Sequence, residues 1–238
     1  MKDENPLIEL YYWPTPNGKK IAIMLEECEL AFSAIPVNIG RGDQFRSSFL
    51  KISPNNRIPG IVDQDNGLSV FESGAILMYL AEKTGRLMPQ ALEPRYEVLQ
   101  WLFWQVAGLG PMAGQLSHFV NYAPEAVPYA HMRYQQEYDR LLGVMNTRLA
   151  DREHLAGDYS IADIAAFPWV ASYKRLGASL DAFPNLRRWF DALKIRPAVR
   201  RGMDLGNDWR SSSALTDDEA RKVLFGQTAE SIGRARSE

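Results

Sequence analysis

The spacing of apolar residues changes class once along this 238-residue chain. Up to Lys83 short strand-like runs alternate with helical ones, and beyond Pro89 only helical spacing is left. Leu7 to Tyr12 is a β-prone run, broken by Pro14, Pro16 and Gly18 before Ile21, Ile23, Met24 and Leu25 resume with helical spacing. A second extended run, Ala34 to Ile39, completes a β-α-β unit. Two brief strands, Gly60 to Val62 and Leu68 to Phe71, flank a polar turn at Asp63 to Gly67, and Ser73 stands as the N-cap of a helix from Gly74 to Lys83. Residues 7 to 83 therefore read βαβ, irregular segment, ββα. Arg95 to Val106, Pro128 to Ala150, Ile161 to Arg175 and Leu186 to Ile195 then read as helices. The expectation is an α/β domain over 1–87, a linker over 88–94 and an all-α domain over 95–238, whose tail after Trp209 is polar.

Composition excludes several partners. With 27 basic against 29 acidic residues, a net charge of −2 and a pI near 6.0, no excess of positive charge is available for nucleic acid or anionic lipid. The opening MKDENPLIEL lacks the apolar stretch of a signal peptide, and nowhere do about eighteen apolar residues run together. These features point to a soluble, untargeted protein. The single cysteine, Cys28, can form neither an internal disulfide nor a zinc cage, and His118, His131 and His154 show no metal-ligand spacing. A reducing cytoplasm and the absence of a metal are the expectations.

Five segments sharpen the assignment: Trp13-Pro14-Thr15-Pro16-Asn17-Gly18, Ser53-Pro54-Asn55-Asn56-Arg57-Ile58-Pro59, Phe71-Glu72-Ser73-Gly74-Ala75-Ile76, Leu99-Gln100-Trp101-Leu102-Phe103-Trp104-Gln105 and Gly108-Leu109-Gly110-Pro111. In this order and spacing they resemble the glutathione transferases, in particular the bacterial Nu class and its fungal nitrogen-regulator relatives, over residues 7 to 203. The resemblance implies a thioredoxin-like glutathione-binding domain followed by the helical domain. It also implies a homodimer in which the N-terminal domain of one chain meets the helical domain of the other. One physical check is independent of it. Ser160-Ile161-Ala162-Asp163 is a capping-box variant in which the two side chains can satisfy each other's backbone amides, so Asp163 is expected to be structural rather than catalytic.

Where thioredoxins carry C-x-x-C, this chain has Thr15-Pro16-Asn17-Gly18. Cys28 lies about 15 Å further along the helix and cannot substitute. Thiol chemistry then falls to a bound small molecule. A free thiol of pKa about 8.5 needs hydrogen bonds and positive potential to hold it as thiolate. The Thr15 hydroxyl, the Asn17 amide and the start of the following helix offer both, although the same residues could simply shape a Pro-rich turn and cap the helix. By resemblance, Ile58 precedes a cis-proline, Pro59, and presents its backbone to the peptide ligand. Glu72 pairs with the glutamyl ammonium of glutathione and Ser73 receives the carboxylate. Gln44 and Arg133 match ligand-contacting positions of the Nu class, against the alternative of solvated surface side chains.

The resemblance implies a glutathione-dependent disulfide reductase in which two glutathiones can occupy one site, with glutathione as cosubstrate and a small disulfide as partner. One thiolate attacks the disulfide and the second resolves the mixed disulfide. Two alternatives stay open. The same thiolate could attack an electrophilic carbon, giving conjugation, dehalogenation or ether cleavage. The fold could also serve a non-enzymatic binding or regulatory protein, although the fungal regulators carry a long low-complexity N-terminal region and only six residues precede the first strand here.

Overall fold

The computed structural model describes residues 7–212 and 218–229. They form two compact units, one from the described residues of 1–76 and 201–238 and the other from 77–200. The first holds a four-stranded sheet, β1 (Ile8–Tyr12), β2 (Phe32–Pro36), β3 (Gly60–Asp63) and β4 (Ser69–Phe71), in the order β2-β1-β3-β4. β1 runs parallel to β2 and antiparallel to β3, which is antiparallel to β4. The parallel pair requires a crossover, supplied by helix α1 (Pro16–Glu27). Between β2 and β3 the irregular segment contains a 3-10 turn, Asp43–Phe45, and the one-turn helix α2 (Ser47–Leu50). Helix α3 (Ser73–Thr84) follows β4. β2 begins two residues before the expected Ala34 and ends at Pro36, which has no N–H to extend a ladder.

Ile8, Leu10 and Tyr12 of β1 are fully buried, in alternation with half-buried Glu9 and Tyr11. Five consecutive residues of α1, Ile21 to Leu25, are also fully buried. A helix buried all round must be covered on more than one side. The sheet covers one face, and the chain between Arg201 and Ser212 covers another. Gly202 lies so close to α1 that an added Cβ would stand 2.6 Å from the backbone N and Cα of Ile23. Lys19, 5% exposed, donates to the carbonyls of Met203 (2.5 Å) and Leu205 (2.8 Å) and to Asn207 Oδ1 (2.8 Å). The Tyr12 hydroxyl donates to Leu205 O at 3.0 Å, and Trp209 packs edge-on against Tyr12 and tilted against Trp13, at centroid distances of 5.9 and 6.1 Å. The polar tail expected after Trp209 contains one more helix, α10 (Asp218–Phe225); its residues 213–217 and 230–238 lie outside the described residues, as do residues 1–6.

That unit contains α4 (Leu92–Trp104), α5 (Gly110–Asn121), α6 (Pro128–Arg148), α7 (Ile161–Ala171) and α8 (Pro184–Lys194), and α9 (Pro197–Asp204) begins in it. A π-helical turn, Gln105–Leu109, joins α4 directly to α5, which the Gly-Leu-Gly-Pro segment conceals in the sequence. Nine of the eleven residues of α7 are buried, making it the central helix. The capping box at its start is formed: the Ser160 N–H donates to Asp163 Oδ2 at 3.1 Å and the Ala162 N–H to Ser160 Oγ at 3.3 Å. Asp163 Oδ1 accepts from Trp189 Nε1 at 2.8 Å and from the Leu155 N–H at 3.0 Å, so this fully buried carboxyl is occupied by internal donors, as the structural expectation requires. Burial raises its pKa above the usual carboxylate value, against the opposing effect of those donors.

Candidate functional site

Cross-strand register gathers the expected site residues of the first unit. Tyr11 of β1 stands opposite Gly60 of β3, and Gly60 opposite Phe71 of β4. The chain leaving β1, the chain entering β3 and the chain leaving β4 therefore emerge at one end of the sheet. These are the segments carrying Thr15 and Asn17, Ile58, and Glu72 with Ser73.

Thr15 is the N-cap of α1, and its Oγ accepts the Gly18 N–H at 3.3 Å. The cap occupies a lone pair, so the hydroxyl hydrogen can still be donated. Capping and ligand contact are compatible here. Asn17, half-buried, follows Pro16 in the first turn, where the positive end of the helix dipole lies. The turn requires glycine next: a Cβ on Gly18 would meet the Trp13 carbonyl oxygen at 2.4 Å. Trp13 itself is 3% exposed, and its Nε1 finds no acceptor among the described residues.

The Ile58–Pro59 peptide is cis. The backbone N–H and C=O of half-buried Ile58 are engaged by none of the described residues. Glu72, exposed, adopts a left-handed conformation with φ of 70°, uncommon for a residue with a side chain, and its Oε1 lies 3.4 Å from Asn55 Nδ2. The helix cap falls here rather than on Ser73. The Glu72 carbonyl accepts the Ile76 N–H at 2.9 Å and Ser73 is the first helical residue of α3, one residue before the expected Gly74, while β4 ends at Phe71 as expected.

Sequence reasoning missed Lys20. It is 2% exposed within α1, and its Nζ donates to Ser73 Oγ at 3.2 Å. Burial lowers its pKa from 10.5 to about 7, with the charge of Glu72 acting in the opposite direction. Two adjacent lysines in a helix ordinarily read as a solvated face, and only the complete apolar environment of α1 betrays these two.

Gln44 is buried at 1% exposure and is committed internally: its Nε2 donates to Ile39 O at 3.0 Å and its backbone carbonyl accepts from Asn56 Nδ2 at 3.1 Å. Its Oε1 is buried without a partner among the described residues. Arg133 belongs to the helical unit, exposed on α6 and 3.5 Å from Glu137, which Arg140 also contacts at 2.6 Å. Cys28 is 7% exposed at the C-cap of α1, the end opposite Thr15. Among the described residues no group of His, Cys, Asp and Glu could hold a metal ion, and no helix is long and apolar enough to cross a membrane.

Residues 6–82 match the model of the glutathione S-transferase N-terminal domain, and residues 118–197 that of the C-terminal domain. The disulfide-bond oxidoreductase YfcG of Escherichia coli (strain K12) is 51% identical over 203 residues, covering 83% of this chain and 94% of the relative. A glutathione transferase from Burkholderia graminis, solved with two glutathione molecules bound per subunit, superposes with a TM-score of 0.80 at 45% identity, covering 84% of this chain and 88% of that one. Another from Pseudomonas putida, solved with one glutathione disulfide per subunit, gives 0.79 at 41% identity, covering 85% and 93%. With both domain models matched in order and half the aligned residues shared with such a relative, this chain belongs to the glutathione S-transferase family.

Proposed function

We propose that this protein is a glutathione-dependent disulfide-bond oxidoreductase in which bound glutathione, not a protein cysteine, supplies the reactive thiols. The observation that carries the reading is the position of Cys28. It caps the far end of a 12-residue helix, about 20 Å from Thr15 at 1.5 Å per residue, and is buried there. The helix start that would activate a thiol holds Thr15 and Asn17 instead. One glutathione thiolate attacks a sulfur of the substrate disulfide, giving a glutathionyl mixed disulfide and expelling one thiolate, which takes up a proton. A second glutathione thiolate then attacks the glutathionyl sulfur, forming glutathione disulfide and releasing the second thiol. The relatives solved with two glutathiones or with one glutathione disulfide per subunit support a site that can accept two glutathionyl groups.

In this reading Asn17 and Thr15 donate to the thiolate at the positive end of α1. Ile58 pairs its free N–H and C=O with the ligand backbone as an added strand would. Glu72 receives the glutamyl ammonium and Ser73 the glutamyl carboxylate. Gln44 donates one amide N–H to Ile39 O, and its Oε1, without a partner among the described residues, is the atom assigned to face the ligand. Arg133 is assigned to glutathione binding by family resemblance alone. The protein is further proposed to be cytoplasmic, as a lone buried thiol suits, and homodimeric, with the thioredoxin-like domain ending near residue 87. Leu92, Tyr96 and Phe103 support the dimer, because they form an apolar stripe on α4 that is 74%, 56% and 58% exposed in the single chain.

Steady-state assay with 2-hydroxyethyl disulfide, glutathione and a glutathione-recycling reductase tests the activity. Turnover well above uncatalysed exchange, retained in Cys28→Ala, is the expected result. Turnover no faster than exchange would overturn it.

A further inference from the structure

A lysine amine is buried beneath the start of α3, 2% exposed and in contact with Ser73. An apolar side chain of similar length would fill the same space without the cost of burying charge. Its contact explains what it does instead. A protonated lysine has only donors, so whenever Lys20 is an ammonium the Ser73 Oγ, 3.2 Å from its Nζ, acts as acceptor and its single hydrogen is left to be donated elsewhere. A serine hydroxyl ordinarily rotates between roles. Here one side of the oxygen is occupied from inside the protein.

We propose that Lys20 is a positioning residue for the glutamyl α-carboxylate of glutathione: it fixes the Ser73 hydroxyl as a donor to that carboxylate and places a buried positive charge behind it. The inference rests on the reading of Ser73 and Glu72 as the glutamyl subsite. Glu72, one residue from Ser73, is a charged group that acts on Lys20, while neighbouring Lys19 directs its Nζ to the carbonyls of Met203 and Leu205. In the free protein burial leaves Lys20 only partly protonated near neutrality, with a pKa of about 7. An anion docked on Ser73 favours the ammonium, so carboxylate binding draws a proton onto the protein. Glu72 and the ligand's ammonium neutralise each other in the same subsite and do not compete for this role.

The test uses ligands without a titrating thiol. Binding of S-methylglutathione is measured by calorimetry between pH 6.5 and 8.5 in buffers of different ionisation enthalpy. The comparison ligand is the same peptide with γ-aminobutyrate in place of the glutamyl residue, which keeps the amine but lacks the α-carboxylate. The wild type should take up on the order of half a proton with S-methylglutathione near pH 7.5 and none with the comparison ligand. Lys20→Met should abolish the uptake, weaken S-methylglutathione roughly 10- to 100-fold and bind the two ligands alike. Circular dichroism checks that the variant is folded, and proton uptake by the wild type is independent of the variant. Binding by the wild type without proton uptake would overturn the role of Lys20 and leave the subsite standing. A folded Lys20→Met that still prefers the carboxylate would do the same. No binding of S-methylglutathione to the wild type would overturn the subsite itself.

Discussion

The ammonium of Lys19 stands 2.5 Å from the carbonyl oxygen of Met203, tying the first helix to a segment 184 residues further along the chain. With Leu205 O and Asn207 Oδ1 it has three acceptors, matching the three donors of an ammonium. The same helix carries Thr15 and Asn17 at its start, so the return of the chain over α1 holds one wall of the candidate site. Lys19→Met should cost about 2 to 4 kcal/mol, because two carbonyls of half-buried residues and the Asn207 side chain lose a charged donor together. Urea unfolding measures it. A loss within about 0.5 kcal/mol would show that the clasp contributes nothing beyond packing.

The succession βαβ then ββα along the chain and the position of the turn at Thr15 were legible because β1 and the two-proline break after it are local signals. α5 was not, since Gly108, Gly110 and Pro111 read as breakers. In fact Pro111 falls in the first turn of α5, where its missing N–H is harmless, and the π turn carries the chain across. Ser73 was identified as a site residue but misplaced as a cap, because propensity does not anticipate a left-handed Glu72. Lys19 and Lys20 could not be read at all. Lys19 is covered by residues 203 to 207 returning to α1 and Lys20 meets Ser73 at the start of α3, and no local pattern encodes partners so distant in sequence.

The Asp163 carboxyl accepts from Ser160 N–H, Leu155 N–H and Trp189 Nε1, and so holds the start of α7 to α8 and to the turn at Leu155. Asp163→Ala should cost about 3 to 5 kcal/mol by orphaning these buried donors, whereas Ser160→Ala should cost about 1 kcal/mol as a lost cap. Thermal unfolding of the two variants separates them. Equal losses would mean that the capping box alone, and not the wider set of contacts, is what Asp163 supplies.

Lys20 gives a pH dependence of stability with a definite sign. Below pH 7 the lysine is charged in both folded and unfolded chains, and the folded state bears the full cost of burying it. Between its folded value of about 7 and its ordinary value of 10.5 the unfolded chain binds more protons, so this cost is relieved as pH rises. The slope is at most about 1.4 kcal/mol per pH unit. Lys20→Met should therefore be more stable than wild type at pH 7, by about 1 to 4 kcal/mol, with an advantage that shrinks toward pH 9.5. Chemical denaturation at the two pH values decides it, and an unchanged difference would count against a charged, buried Lys20.

The exposed stripe on α4 bears on assembly. In the proposed homodimer Tyr96 and Phe103 are covered, so introducing Tyr96→Asp and Phe103→Asp together should place two charges in an apolar contact and yield a monomer. Sedimentation at micromolar concentration reads the mass. A wild type that is already monomeric there would remove the dimer, and a doubly substituted protein that stays dimeric would move the interface off this face.

The sharpest separation of roles lies among Asn17, Thr15 and Cys28. If Asn17 stabilises the glutathione thiolate, Asn17→Ala should lose about 2 to 4 kcal/mol of transition-state stabilisation, roughly 30- to 1,000-fold in kcat/KM for disulfide reduction. Thr15→Ala should fall between Asn17→Ala and wild type. It removes a hydroxyl that also caps α1 through the Gly18 N–H, at a stability cost of about 1 kcal/mol, while the backbone amides of the turn remain. Cys28→Ala should leave the rate nearly unchanged, since the thiol lies buried at the other end of the helix. Circular dichroism on each variant distinguishes a lost function from a lost fold. The opposite ranking, with Cys28→Ala inactive and Asn17→Ala intact, would require a protein thiol and a conformation that brings it to the ligand, and the borrowed-thiol mechanism would have to be given up.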